Sequence, residues 1–365
     1  MLERGKIDGK QAVMLMIALV LPSAILTLPP VIVRHARQDA WLSVVAAVLA
    51  GLMVARLVAS LNLRFPGKTL FEYAEEILGR VPGKIVGILY IWWFLHTNAL
   101  VLDEFGSFLC IGILPNTPSI VFFIIGAVVA AYAVRSGLEV LGRYTQLFLP
   151  LMGLLFIVFL LSAKYMKVVR LLPVLDTGLA PILKGAAAPA SWLGEIVVFS
   201  MIIPFLTRPK EAYRVAAQAT LFTGFFLLVS VLVSLAVFGP NLTRSWIFPT
   251  YNAVRVVSIA NFLERMEAAV VTVWMLGGFA KIGVFYYAAV LGSAQLLGLK
   301  EYRPLVAPVG VILVALALLC ENLVVLLDFL ARVFPPYSLI LFEAGIPLVL
   351  LIVALARGKE ARRVD

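Results

Sequence analysis

The sequence predicts an all-α polytopic membrane protein with ten transmembrane helices in two inverted five-helix repeats. Of its 365 residues, 62% are hydrophobic and only 14% are charged, which excludes an ordinary soluble domain. Apolar runs of about 20 residues, the length that crosses a bilayer, recur from end to end. Proline interrupts the first and the sixth run, at corresponding positions in two halves, which is typical of transporters with helices 1 and 6 discontinuous.

The apolar runs define ten spans and one additional helix. The spans are predicted at residues 11–33, 40–62, 84–110, 117–135, 143–164, 189–206, 215–238, 263–292, 304–326 and 335–356. We treat residues 1–365 as a single transmembrane domain with pseudo-repeat halves at about 11–164 and 189–356. Residues 71–78 are too short and too acidic to span, and they predict an amphipathic surface helix that ends at Gly79.

The basic residues predict the orientation of the chain in the membrane. With the N-terminus in the cytoplasm, the cytoplasmic loops and ends carry eighteen Lys and Arg residues and the opposite loops carry ten. This bias predicts that both termini are cytoplasmic. The net charge of +10 is spread over short loops that meet the lipid bilayer, so we predict no nucleic-acid binding. Two outward loops are longer, residues 165–188 and 239–262. The second is expected to be a lid or a partner surface in the headgroup layer, or else a plain connector.

The first span is the element around which the predicted site is built. Pro22 lies near its centre and Pro29-Pro30 follow, and each proline removes a backbone donor. Backbone groups freed in this way inside lipid need a protein, water or ligand partner. We therefore expect unwound, ligand-binding backbone at mid-membrane, formed by residues Pro22, Ser23, Ala24 and Ile25. The alternative is a proline kink in a continuous helix that neighbouring helices accommodate.

The third and sixth spans are predicted to supply the rest of the pocket. Trp93, Thr97 and Leu100 share one face of the third span by their spacing. The sixth span carries a charge early, Glu195, and a proline late, Pro204. Between them we expect three further ligand contacts, namely Phe199, Ser200 and Met201.

Ionisable residues within spans are candidates for ion or proton coupling. Lys281 lies near the centre of the eighth span, where its ammonium could occupy the place of a sodium ion, contact the ligand or carry a proton. Alternatively, Lys281 forms a structural pair with a carboxylate such as Glu195 or Glu343. Glu195 either pairs locally or holds the amino group of a ligand, and Glu343 is expected to be a proton or packing partner. Surface pairs are expected for Asp103, Glu104, Glu264, Arg265 and Glu267.

Other chemistries lack a sequence signature. There is no phosphate-binding loop, no nucleophile motif and no catalytic carboxylate pair. Cys110 and Cys320 suggest neither a disulfide nor a metal site. We predict that the protein is not an enzyme and that it uses no cofactor and no metal.

Several short segments, in order and spacing, resemble a known family. They are Ala24-Ile-Leu-Thr-Leu-Pro29, Phe65-Pro-Gly-Lys-Thr-Leu-Phe-Glu-Tyr-Ala74, Gly137-Leu-Glu-Val-Leu-Gly-Arg143, Leu172-Pro-Val-Leu175, Phe262-Leu-Glu-Arg-Met-Glu267 and Val273-Trp274. Over nearly its whole length the chain resembles the GerA-type B subunits of spore germinant receptors, also called endospore germination permeases. That family belongs to the amino acid–polyamine–organocation superfamily.

The resemblance implies a function and a set of partners. It implies a ligand site between spans one, three, six and eight, and a multi-pass protein of the spore inner membrane that senses a small nutrient. The implied partners are an A subunit and a C-subunit lipoprotein. Two functions remain open: a receptor for a nutrient, expected to be an amino acid, or a proton-coupled amino-acid transporter. A purely structural scaffold is a third possibility.

Overall fold

The protein is a helical bundle in the computed structural model, which describes residues 2–176, 178–255, 266–320 and 322–358. Among these residues the only extended pairing is a single bridge between Ile7 and Leu206. The α-helices are α1 (Gly9–Ala36), α2 (Ala40–Arg64), α3 (Leu70–Leu78), α4 (Arg80–Gly112), α5 (Ser119–Ser136), α6 (Leu138–Gln146), α7 (Phe148–Leu161), α8 (Leu179–Gly194), α9 (Ala212–Ser245), α10 (Pro249–Arg255), α11 (Met266–Leu296), α12 (Val306–Ala317), α13 (Leu323–Arg332) and α14 (Ile346–Ala356). A π-helix, Pro336–Gly345, leads into α14.

The helices confirm a polytopic membrane protein. Eight helical stretches of the described chain are long and apolar enough to cross a bilayer, and the first of them, Gly9–Arg64, contains both α1 and α2. A shorter apolar helix covers Arg303–Ala317. Counting α1 and α2 separately and adding this shorter helix gives the ten predicted spans.

Some span boundaries differ from the prediction. The sixth span begins at Leu179, not at residue 189, because α8 contains Pro189 without ending there. The fifth span is divided between α6 and α7, and the ninth ends at Ala317 instead of residue 326. The second long loop is partly helical: α9 continues beyond a break at Gly239, where φ is 76°, and α10 packs against α1 and α11. The remaining residues of that loop, 256–262, lie outside the described residues.

The first span differs from the prediction, because α1 is one continuous α-helix with all three prolines inside it. Every residue from Leu15 to Val33 is buried, so α1 is surrounded by other helices. Its neighbours include α2, α8, α9, α10 and α11. The alternative, a continuous helix that its neighbours accommodate, describes α1.

Side chains from neighbouring helices donate hydrogen bonds to two carbonyls of α1, those of Pro22 and Ile25. Pro29 cannot donate to the carbonyl of Ile25, four residues earlier. That carbonyl instead accepts hydrogen bonds from Ser230 Oγ at 2.9 Å and Thr250 Oγ1 at 3.0 Å. The indole N–H of Trp274 donates to the carbonyl of Pro22. The hydroxyl groups of Ser230 and Thr250 thus replace the donor that Pro29 lacks, and this contact from neighbouring helices favours a continuous α1 in lipid.

The predicted amphipathic helix is confirmed as α3. Thr69 and Glu72 form a capping box at its start, and Gly79 ends it with a φ of 96° that favours glycine. Leu70, Phe71, Tyr73, Ala74 and Ile77 are buried, so the apolar face of α3 packs against the bundle.

A close contact between α4 and α11 depends on a glycine. Phe105 stacks on Trp274 with ring centroids 4.0 Å apart. A Cβ atom added at Gly278 would lie 1.9 Å from the Phe105 ring, so only glycine lets the ring occupy this position. Small residues allow this kind of close helix approach in membranes.

We expect Gly278→Ala to lower the midpoint of thermal unfolding of the purified protein. The added methyl group displaces Phe105 from Trp274, and overpacking of this kind costs about 1–3 kcal/mol. Gly153→Ala in α7 is the matched control, because a Cβ there meets no atom within 4 Å. Equal midpoints for the two variants would show that Phe105 moves without cost.

Candidate functional site

A polar cluster lies where α1, α4, α11 and the end of the sixth span meet. Ser23, Thr97 and Lys281 lie near the middle of α1, α4 and α11. The sixth span changes at Glu195 from α-helix to a 3₁₀ helix, Glu195–Met201, and then to a second short one, Ile203–Phe205. The predicted discontinuity of the sixth span is therefore present, and Glu195 is its first residue.

Lys281 is completely buried and is held by two side chains. Its Nζ donates hydrogen bonds to Glu195 Oε2 at 2.7 Å and to Ser23 Oγ at 2.6 Å. The exposed fractions of the Lys281 and Glu195 side chains are 0% and 1%. A buried ammonium is costly unless it is paired and hydrogen-bonded, and both conditions are met here. Of the two predicted carboxylate partners, Glu195 forms the pair and Glu343 does not.

Glu343 lies in a second polar cluster, next to the end of α8. Its Oε1 accepts hydrogen bonds from Ser338 Oγ at 2.6 Å and from Ser191 Oγ at 3.5 Å. Ser338 also accepts the indole N–H of Trp93 at 2.9 Å. A Cβ atom at Gly194 would lie 2.1 Å from Glu343 Oε2, so a glycine is needed there. Trp93 therefore binds the same serine that donates to Glu343, and it is not among the residues that line the cavity described next.

A small cavity adjoins the ion pair. Its volume is about 10 Å³, which is room for about one water molecule. The lining residues come from five regions of the bundle and include the ion pair. They are Ser23, Thr97, Leu100, Val101, Glu104, Trp192, Glu195, Lys281, Leu330 and Phe334.

The cavity brings together only part of the predicted site. Among the predicted residues, Ser23, Thr97, Glu195 and Lys281 line it. The other predicted residues are buried in the bundle but are not among its lining residues; they are Pro22, Ala24, Ile25, Trp93, Phe199, Ser200, Met201 and Glu343. The backbone of α1 is not free to bind a ligand in this structure, because its residues are in an α-helix, where backbone N–H groups bond carbonyls four residues earlier.

The 3₁₀ helix turns Ser200 toward α2. The carbonyl of Ser200 accepts a hydrogen bond from Asn62 Nδ2 at 3.1 Å. This contact gives a hydrogen-bond partner to a carbonyl of the interrupted part of the sixth span, and it connects that part to α2.

Glu104 is the main residue that sequence analysis placed wrongly. Asp103 and Glu104 were expected in surface pairs, but they are 4% and 1% exposed, and Glu104 lines the cavity. A signal was present: Thr97, Leu100, Val101 and Glu104 follow the i, i+3, i+4, i+7 spacing of one helix face. Extending the predicted Thr97–Leu100 face by one turn includes Glu104. Glu264 and Arg265 lie outside the described residues, and nothing is described of the Glu267 side chain.

Comparison with known proteins identifies the family of the chain. The Spore_permease family, described as spore germination protein, matches residues 6–323. Spore germination protein KB of Bacillus subtilis (strain 168) is 28% identical over 376 residues, covering 99% of this chain and 100% of that protein. Spore germination proteins YndE and A2 of the same organism are 26% and 24% identical, covering 96% and 82% of this chain and 96% and 83% of their own lengths.

Comparison with solved structures identifies the fold. MhsT in complex with L-phenylalanine matches with a TM-score of 0.65 at 13% identity, covering 99% of this chain and 94% of MhsT. A Na⁺-coupled sialic acid symporter matches with a TM-score of 0.64 at 10% identity, covering 98% of this chain and 85% of the symporter. At such low identity the likeness shows a shared transporter fold. Taken with the match over residues 6–323, the sequence and the bundle lead to one conclusion: the chain belongs to the spore permease family of spore germination proteins.

Proposed function

We propose that this protein is the membrane subunit of a spore nutrient germinant receptor, and that it binds a small nutrient, an amino acid, beside Lys281 and Glu195. The observation that carries the proposal is the buried ion pair at the cavity where α1, α4, α11 and the interrupted sixth span meet. Charged groups inside a membrane bundle are expensive and are typical of functional sites. Family membership supports the role in germination, and MhsT is described as bound to an amino acid.

The small size of the cavity suggests how a nutrient would act. A volume of about 10 Å³ cannot contain an amino acid, so the ligand binds a more open conformation of the same site. A ligand with higher affinity for the open conformation shifts the population toward it. In this proposal, partner subunits detect that shift and trigger germination.

Ser23, Thr97, Glu195 and Lys281 have the strongest support as ligand-binding residues because they line the cavity. The remaining predicted contacts require the site to open further, and they stay a prediction; they are Pro22, Ala24, Ile25, Trp93, Phe199, Ser200 and Met201. Glu343 stays a prediction as a proton-coupling residue with Lys281 and Glu195. We propose no catalytic role.

The partners and location in this proposal come from the family resemblance and the charge distribution. The partners are an A subunit and a C-subunit lipoprotein, in the inner membrane of the spore. The bias of eighteen Lys and Arg residues against ten places both termini in the cytoplasm.

A second candidate function is that of a proton-coupled amino-acid transporter. The transporter fold and the ammonium of Lys281 in the membrane interior favour it, because a lysine that releases and regains a proton could couple uptake to a pH gradient. The solved symporter with this fold is described as Na⁺-coupled, and here Lys281 would replace the ion.

A panel of amino acids tests ligand binding directly. We expect at least one to raise the unfolding midpoint of the purified protein, because a ligand that binds only the folded state stabilises it. The measurement is a thermal-shift series at increasing ligand concentration, with the enantiomer of each active amino acid as a control. If no small nutrient changes the midpoint, the structural scaffold is the better description.

Transport and sensing are separated in liposomes. As a receptor, the reconstituted protein is expected to bind a labelled amino acid without accumulating it. The measurement is uptake with and without an inward proton gradient, using liposomes without protein as the control. Concentrative uptake that depends on the gradient would support the transporter instead.

We expect Lys281→Ala to destabilise the protein and to abolish nutrient binding. Removing one partner leaves the Glu195 carboxylate buried and unpaired, which costs about 3–5 kcal/mol. The double variant Lys281→Met with Glu195→Gln removes both charges and is expected to fold but not to bind. Lys68→Ala is the control for stability, because Lys68 pairs with Glu76 at the surface, where such a pair is worth about 1 kcal/mol or less. Normal nutrient affinity in the double variant would show that the ion pair is purely structural.

A further inference from the structure

The Glu104 carboxylate is buried without sufficient partners. Its side chain is 1% exposed and lines the cavity beside Lys281. Among the described residues, its Oε1 atom has no hydrogen-bond partner. Buried polar atoms are almost always hydrogen-bonded, so an orphaned carboxylate oxygen in a cavity indicates a missing partner.

The Lys281–Glu195 pair leaves no positive charge in the cavity to compensate an ionised Glu104. Lys281 is engaged by Glu195 at 2.7 Å and by Ser23 at 2.6 Å, so its positive charge is already compensated. In its ionised form, Glu104 would therefore add a negative charge to a neutral ion pair among buried side chains. An uncompensated charge in such a place is costly, so the site favours an added positive charge.

Thr97 supplies a second unpartnered oxygen in the same cavity. It lies two helical turns before Glu104 on one face of α4, and its side chain is 2% exposed. Its Oγ1 has no hydrogen-bond partner within the part of the chain that the structure describes. The remaining space, about 10 Å³, fits one particle about as large as a water molecule. An ammonium group and a small inorganic cation are of that size.

We propose that Glu104 and Thr97 form a binding site for one monovalent cation, next to the Lys281–Glu195 pair. Two kinds of ligand can supply this cation: the primary ammonium group of an amino-acid nutrient, or a free ion such as Na⁺ or K⁺. The first source rests on the proposed function, and the second does not. In both, the cation neutralises Glu104 and its oxygen contacts join α4 to the centre of the bundle.

The ligand's orientation follows if the cation is its ammonium group. Glu104 binds the ammonium group, and the carboxylate of the same ligand pairs with Lys281 only by displacing Glu195 or Ser23. Amines without a carboxylate would occupy only the Glu104 half.

The test compares wild-type protein with Glu104→Gln in a membrane-mimetic detergent. The unfolding midpoint is measured in NaCl, KCl, NH₄Cl or methylammonium chloride, each against choline chloride at the same ionic strength. A second series compares L-alanine with propionate, which lacks the amino group. We expect a midpoint rise in wild type with at least one small cation or with L-alanine. We expect the affinity for it to fall at least about tenfold in Glu104→Gln, because a charge-assisted contact is lost.

Asp103→Asn is the matched control. Asp103 is a buried carboxylate on the same helix, and among the described residues its Oδ2 lacks a hydrogen-bond partner as Glu104 Oε1 does. It differs in that it is not among the lining residues and its Oδ1 accepts a hydrogen bond from Ser107 at 3.1 Å. It is expected to keep the wild-type response. Size-exclusion profiles establish that both variants are folded.

The outcomes separate the proposals. A response to L-alanine alone, lost in Glu104→Gln, identifies the ammonium group as the cation, and a response to Na⁺ or K⁺ alone identifies an inorganic ion. A response that persists in Glu104→Gln overturns the cation site and leaves the nutrient receptor intact. A wild-type midpoint that is equal in all salts and with L-alanine also overturns the cation site, since Glu104 would then be neutral by protonation.

Discussion

The ion pair between Lys281 and Glu195 connects the helices that form the candidate site. Lys281 on α11 binds Glu195, the first residue of the interrupted part of the sixth span, and Ser23 on α1. Three elements far apart in sequence are thereby joined at the middle of the membrane. Because each partner is almost completely buried, removing one leaves an unpaired charge, whereas moving the elements together preserves the pair. The pair therefore limits which motions of the bundle are possible.

The central helix is stabilised in another way, by donors from outside it. Ser230, Thr250 and Trp274 donate to carbonyls of α1 around its prolines. The helix can therefore combine three prolines with complete burial. These three donors come from α9, α10 and α11, so any movement of those helices relative to α1 exchanges or breaks hydrogen bonds near the candidate site. This arrangement gives Pro29 a second role, because it leaves the carbonyl of Ile25 available as an acceptor for α9 and α10.

Much of the fold could be predicted from the sequence because its causes are local. A run of about 20 apolar residues predicts a span, and residue patterns predicted the ten spans, the surface helix α3 with its end at Gly79, and an interruption of the sixth span. Lys281 was identified as a central residue because a charge inside a span is conspicuous. The family was recognised from short segments, and the match over residues 6–323 confirms it.

The choice among partners was decided only by the tertiary structure. The sequence offered Glu195 and Glu343 to Lys281, and a distance of 2.7 Å selects Glu195. It could not show that α1 stays helical, because the donors to its carbonyls lie more than 200 residues away in the chain. It also placed Glu104 at a surface although it lies in the cavity. Apolar length and proline positions are properties of one segment, and the sequence alone determined them; hydrogen bonds and charge compensation depend on which segments meet, and packing decides that.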